Sequence, residues 1–80
     1  MSNTPHTLAE EFPGQGDAIH RLKLADPEFA SLLARYDEIN DKVHLAETNI
    51  APVDHAVETE LRKQRLQAKD AIGQALSAAR

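Results

Sequence analysis

The side chains best suited to metal binding or proton transfer in this chain are its four histidines: His6, His20, His44 and His55. No two of them are four residues apart, the spacing that places a pair of metal ligands on one helix face. His44 and His55 flank a short connection with Glu47 and Asp54 nearby, but a structural zinc site needs four well-held ligands and the chain has no cysteine. We therefore expect no metal site and no cofactor.

The candidate nucleophiles are Ser31 and Ser77, both on segments with a helical pattern. Neither has a histidine and an acid in an order that suggests a triad, and triads are recognised by geometry in any case. A small helical hairpin also offers no concave pocket from which water could be excluded. We expect no catalytic residues and no enzymatic activity.

The stretch LRKQRLQAKDAI, residues 61–72, contains four bases: Arg62, Lys63, Arg65 and Lys69. Residues 1–60 hold four bases and twelve acids, so the chain is acidic overall, with a sequence pI of about 5.4. The bases could contact the phosphates of a nucleic acid, or they could face the acidic stretch DEIND, residues 37–41. The acidic pI and the lack of aromatic residues for base stacking in this stretch favour the second interpretation.

These side chains must be positioned by helices, and the first helix signal is Asp26-Pro27, a good N-cap followed by proline at the first helical position. The apolar residues that follow alternate in steps of three and four, the pattern of a helix packed lengthwise on another helix. They are Phe29, Leu32, Tyr36, Ile39, Val43, Ala46 and Ile50. The pattern predicts a helix over residues 27–47.

A second long helix is predicted over residues 54–79, capped by Asp54 and separated from the first by a short connection containing Pro52. A short loop makes the two helices antiparallel neighbours. Folding the chain at residues 51–52 places Arg62 beside Asp41 and Arg65 beside Glu38.

Before the hairpin, Thr7 and Glu10 fit a capping box, and Asp17 could cap a short helix reaching Ala25. We predict an all-α fold: a short N-terminal helix followed by an antiparallel, coiled-coil-like two-helix hairpin. The predicted division is a flexible N-terminus, residues 1–11, and a hairpin domain, residues 12–80.

Three leucines lie off the predicted seam: Leu33, Leu45 and Leu66. A second copy of the chain or a helix of another protein could cover them in a four-helix arrangement. The short first helix could instead cover them through Phe12, Ile19 and Leu22, and patterning cannot separate the two. The predicted interaction surface consists of Leu33 and Leu66 with the four bases of the last helix.

The order of these motifs resembles the YdcH-like family of small bacterial proteins, a domain of unknown function, over about residues 11–76. The matching positions are Phe12-Pro13, Leu22-Lys23, Phe29, Tyr36, Ile39, Leu61, Lys63, Arg65-Leu66 and Lys69-Asp70. The resemblance implies a short, cytoplasmic, mostly helical protein built around an antiparallel hairpin, and no activity, cofactor or partner. Ala68 and Gly73 are smaller than the family pattern leads us to expect, which suggests a thin last helix.

The protein is therefore interpreted as a non-catalytic interaction, adaptor or regulatory module that acts through its helical surface. Its expected partner is a second copy of itself or another helical protein. A nucleic-acid-associated factor using the basic stretch is the alternative. No membrane association is expected, because the last helix is alanine-rich on its apolar face, and the N-terminus lacks the pattern of a signal peptide. The expected location is the cytoplasm.

Overall fold

The computed structural model describes residues 5–48 and 54–79, and all regular structure in these residues is helical. The helices are α1 (Leu8–Glu11), α2 (Gly16–Ala25), α3 (Pro27–Glu47) and α4 (His55–Ala78). The predicted all-α class is confirmed. Within these two ranges no helix is long and apolar enough to cross a membrane.

The long helices begin at the caps that the sequence predicts. The Asp26 carboxylate accepts hydrogen bonds from the backbone N–H groups of Glu28 at 3.0 Å and Phe29 at 3.4 Å. Asp54 accepts one from Ala56 at 3.4 Å. Each cap satisfies backbone donors that have no partner within the helix, which is why both helices begin where they do.

The N-terminal part contains two short helices. The Thr7 hydroxyl caps α1 by accepting from the Glu10 N–H at 3.4 Å. The chain then turns at Gly14, whose φ of +77° is a conformation that glycine adopts without a steric penalty. The prediction that Asp17 caps α2 is wrong, because α2 begins at Gly16 and Asp17 lies within its first turn.

The core lies between α3 and α4, with the N-terminal helices packed against it. It is formed by Phe29, Leu33 and Tyr36 of α3 together with Ala68, Ile72 and Leu76 of α4. The partly buried residues packed on this cluster are Leu8, Phe12, Ala18, Ile19, Leu22, Leu32 and Ala75. The N-terminal helices therefore complete a core that α3 and α4 alone would leave open on one side.

This packing corrects the prediction that Leu33 is part of an exposed surface. Its side chain is only 5% exposed, because α3 has α2 as a second neighbour in addition to α4. The covering residues include Ile19 and Leu22, as in the interpretation that assigns this role to the first helix. Leu66 and Leu45 remain exposed, at 57% and 38%.

Candidate interaction surface on α3 and α4

Most of the predicted surface residues lie along the accessible side of α4. Leu66, Arg62 and Lys63 are exposed, whereas Arg65 and Lys69 are half-buried. A shallow cavity of about 180 Å³ brings several of them together with residues of the N-terminal segment and α3. Its lining is His6, Glu11, Tyr36, Arg62, Arg65, Leu66 and Lys69. The buried Leu33 and the exposed Lys63 are not part of this lining.

Arg62 is held by two glutamates. Its Nη2 lies 3.2 Å from Glu47 Oε2, at the end of α3, and 3.0 Å from Glu58 Oε1, one turn earlier in α4. The prediction that Arg62 lies beside Asp41 is wrong, because the guanidinium reaches toward the end of α3. These side chains are solvent-accessible, so each pair contributes only about 0–1 kcal/mol and serves mainly to orient the arginine.

Arg65 donates from Nη1 to the Asn40 side-chain oxygen at 3.1 Å. The predicted partner, Glu38, instead forms an ion pair with Lys42, one turn further along α3, at 3.3 Å. Asn40 is 3% exposed, which makes it the buried polar residue of the described core. A buried amide must be hydrogen-bonded to avoid a desolvation penalty, and Arg65 satisfies its oxygen.

Lys69 reaches the N-terminal part of the chain. Its Nζ lies 3.5 Å from Glu11 Oε2, and the other Glu11 oxygen lies 2.8 Å from His6 Nδ1. The hydrogen bond from His6 is the main reason that the pKa of Glu11 lies below its usual range, with the positive charge of Lys69 adding to it. Glu11 therefore stays ionised and links α4 to the N-terminal segment.

Two donors of α3 also hold this segment. The Tyr36 hydroxyl donates to the His6 carbonyl oxygen at 2.6 Å, and the Asn40 side-chain nitrogen donates to the Pro5 carbonyl oxygen at 2.9 Å. Burial, together with the negative charge of Glu11, raises the pKa of Tyr36 to about 12. The phenol therefore remains a donor throughout the physiological pH range.

The sequence contained one signal for this pair of donors, since Tyr36 and Asn40 are four residues apart and share a helix face. It contained none for their acceptors, because Pro5 and His6 contribute backbone oxygens. Pro5 and His6 were missed as part of the surface for that reason, whereas Glu11 was missed because the contact between its carboxylate and Lys69 joins residues far apart in the sequence. Residues 5–11 lie in the predicted flexible N-terminus; residues 1–4 lie outside the described part of the chain.

Lys63 of α4 is exposed, and so are Asp37 and Asp41 of α3. In the described part of the chain Lys63 forms no ion pair, and neither do Asp37 and Asp41 of α3. Partial burial and the neighbouring charge of Asp41 raise the pKa of Asp37. Two neighbouring acids thus lie on α3 without an ion pair, with Lys23 of α2 as the positive charge that acts on Asp37, while Lys63 of α4 is exposed and unpaired in the described residues.

Metal ligands do not cluster in the regions that the structure describes. No group of three histidine or acidic side chains there is arranged to hold an ion. His44 is half-buried and His55 is exposed, while Glu47, the acid near His44, engages Arg62. Among the described residues, the chemistry of this surface is that of hydrogen-bond donors, paired charges, the unpaired Lys63 and the exposed Leu66.

Comparison with known proteins identifies the family to which the chain belongs. No curated protein and no solved structure matches the chain. The model of a family described as "Protein of unknown function (DUF465)", to which YdcH-like proteins belong, matches residues 29–76. This range covers nearly all of α3 and of α4, more than half of the chain. The protein therefore belongs to the DUF465 family, as the resemblance in its sequence indicated.

Proposed function

We propose that the protein is a non-catalytic interaction module that self-associates through the exposed surface of an antiparallel hairpin formed by α3 and α4. Two sets of contacts support the antiparallel arrangement. Glu47, at the end of α3, contacts Arg62 in the early part of α4. Phe29, at the start of α3, shares a core cluster with Leu76, near the end of α4.

The observation that carries the proposal is the position of Leu66. Its side chain is 57% exposed and lines the shallow cavity beside Arg62 and Lys69. A single exposed leucine is ordinary on a protein surface. A leucine at the edge of a concavity, with Lys63, unpaired in the described residues, three residues earlier on the same helix, is in contrast a suitable centre for contact with an apolar and acidic surface.

A second copy of the chain can supply that acidic surface. Asp37 and Asp41 form no ion pair in the described residues, and Lys63 of α4 is likewise without one. In a two-fold arrangement α4 of each copy faces α3 of the other, so every contact occurs twice. Pairing these charges between copies would relieve the repulsion between Asp37 and Asp41 that contributes to the raised pKa of Asp37.

Light scattering at micromolar concentration tests this proposal. We expect the wild-type mass to be at least twice the chain mass of 8.8 kDa, and Leu66→Glu to return it to that of one chain. Leu24→Glu is the matched control, because Leu24 is 75% exposed but lies on α2. A wild-type protein with the mass of one chain, or equal effects of the two variants, would contradict the proposal.

The same measurement addresses the alternative, a nucleic-acid-associated factor. Arg62 and Lys69 already engage glutamates, which supports ranking phosphate contact second. A gain in mass on adding a short DNA or RNA duplex, lost steeply as salt rises, would instead establish phosphate binding. In that case Lys63→Ala should weaken duplex binding without changing the helical content.

A further inference from the structure

The surface beneath the N-terminal segment, residues 5–11, differs in chemistry from the rest of the hairpin. Tyr36 and Asn40 donate from successive turns of α3 to the carbonyl oxygens of His6 and Pro5, at 2.6 and 2.9 Å. The two carbonyls belong to consecutive residues. These donors consequently recognise a run of peptide backbone rather than a particular pair of side chains.

The neighbouring residues of α4 complete a surface made of donors and positive charge. Arg65 bonds the Asn40 oxygen at 3.1 Å and so leaves the Asn40 amide nitrogen directed at the segment. Lys69 lies 3.5 Å from the Glu11 carboxylate. We call Tyr36, Asn40, Arg65 and Lys69 the donor groove. Whatever occupies it must supply backbone carbonyls and a carboxylate.

The segment that fills the donor groove is attached in a way that allows it to leave. It connects to the rest of the chain through Pro13 and Gly14, the latter with a φ of +77°. Helix α1 has only four residues, none of them fully buried, and it packs on the core through the partly buried Leu8. His6 has a φ of 60°, a conformation that is uncommon for residues other than glycine and that release would relax. Segments with few buried contacts open at low free-energy cost without global unfolding.

We propose that the donor groove is a peptide-binding site, filled in cis by residues 5–11, that accepts in trans an acidic peptide with the same chemistry and the same bend followed by a helical turn. The peptide would place two successive carbonyls against Tyr36 and Asn40 and a carboxylate against Lys69. This proposal goes beyond the proposed function, because it concerns the surface under the N-terminal segment and does not require self-association.

The test uses the full-length chain and a fluorescein-labelled peptide of the sequence PHTLAEEF, residues 5–12, followed by fluorescence anisotropy. In the opened variant, Leu8→Ala with Glu11→Gln, the groove is intact but its internal competitor is weakened. We expect this variant to bind the peptide at least about ten-fold more tightly than wild type, because apparent affinity scales with the fraction of open groove. The single variant Glu11→Gln should show a smaller gain and serves if the double variant fails to fold.

Two changes identify the contacts responsible. Tyr36→Phe in the opened background removes the donor hydroxyl and keeps the buried ring, so affinity should fall several-fold. A peptide in which both glutamates are replaced by glutamine should also bind several-fold more weakly. Leu24→Ala in the opened background is the control, since Leu24 lies on α2 and is 75% exposed, and it should bind as the opened variant does.

Three results would overturn the proposal. One is equal peptide affinity of wild type and the opened variants. Another is no effect of Tyr36→Phe in an opened variant whose circular dichroism is unchanged. The third is a mass of the opened variant, without peptide, that is twice that of wild type at the same concentration, which would make the N-terminal segment of a second copy the occupant in place of an acidic peptide. A negative result for Leu66→Glu would leave these peptide-binding readouts unaffected. The proposal of self-association and the proposal of peptide binding can therefore be refuted independently.

Discussion

Gly73 lies in the interior of α4 and is a position where one methyl group should raise stability. A Cβ built there would lie 3.7 Å from Phe12 Cε1, an ordinary van der Waals distance. Glycine in a helix interior costs about 1 kcal/mol relative to alanine, because the unfolded chain loses more backbone freedom on folding. Burying part of a methyl group beneath Phe12 adds a fraction of the roughly 0.8 kcal/mol that full burial contributes. We therefore expect Gly73→Ala to stabilise the protein by about 1–1.5 kcal/mol.

Thermal unfolding followed by circular dichroism measures this effect. For a chain of this size, 1 kcal/mol corresponds to a rise of about 4–8 °C in Tm. The matched control is Ala34→Gly, an exposed position in the interior of α3, which should lower the free energy of unfolding by about 1 kcal/mol. Because Ala34 is exposed, this control isolates helix propensity from packing.

A double-mutant cycle with Phe12→Ala separates the two contributions of Gly73→Ala. The propensity part should persist without the ring, and the packing part should vanish. A destabilising Gly73→Ala would refute the reasoning, since it would mean that Phe12 lies closer to the α4 backbone than 3.7 Å. A gain unchanged by Phe12→Ala would refute the packing part alone.

Three further predictions concern α3. The folded-state pKa of Tyr36, about 12, exceeds its unfolded value near 10, so its contribution to stability is complete below about pH 10 and disappears as pH rises through 12. Denaturant unfolding at several alkaline pH values should show this loss of stability, and the loss should be smaller in Tyr36→Phe. Phenolate absorbance reports the ionisation of Tyr36 directly, because Tyr36 is the only tyrosine. Ile39 is 6% exposed, so Ile39→Asp should unfold the protein. The cost of burying an unpaired charge exceeds the about 3–5 kcal/mol of stability that such a thin core supplies. Unchanged helicity and Tm of this variant would exclude the observed packing. Asp26→Ala removes the α3 cap and should cost about 1 kcal/mol in urea unfolding; a loss below a few tenths would mean that water replaces the carboxylate.

The long helices could be predicted because their signals are local. Asp26-Pro27 and Asp54 mark the two starts, and the predicted ranges 27–47 and 54–79 differ from Pro27–Glu47 and His55–Ala78 by at most one residue at an end. Cap chemistry depends on a few consecutive residues, so it survives whatever the tertiary environment is.

The packing around those helices depended on information that a single periodic pattern lacks. Leu33 lies off a seam drawn for one neighbouring helix, yet it is buried because α3 has two neighbours. The partner of Arg62 was wrong since a long guanidinium side chain can reach along the partner helix as well as across to it. Charge pairing between helices thus cannot be assigned from facing positions alone.

The contacts of the N-terminal segment could not be predicted from the sequence for a different reason. Tyr36 and Asn40 bond to main-chain oxygens, which every residue has, so residue types along the N-terminus carry no sign of them. Only the donors, a phenol and an amide one turn apart on the same helix, were visible in the sequence.

Asn40 also bears on which pairings of α3 and α4 are permitted. An all-apolar seam is nearly indifferent to a shift of one helical turn, since one aliphatic side chain replaces another. A shift here would separate the Asn40 amide from Arg65 and from the Pro5 carbonyl, and would leave a buried polar group without partners. We expect this amide to penalise slipped and alternatively oligomerised arrangements more than it stabilises the native one, as a polar residue does in a coiled-coil seam. In a chain whose core includes alanines, selecting a single structure in this way matters as much as the stability of that structure.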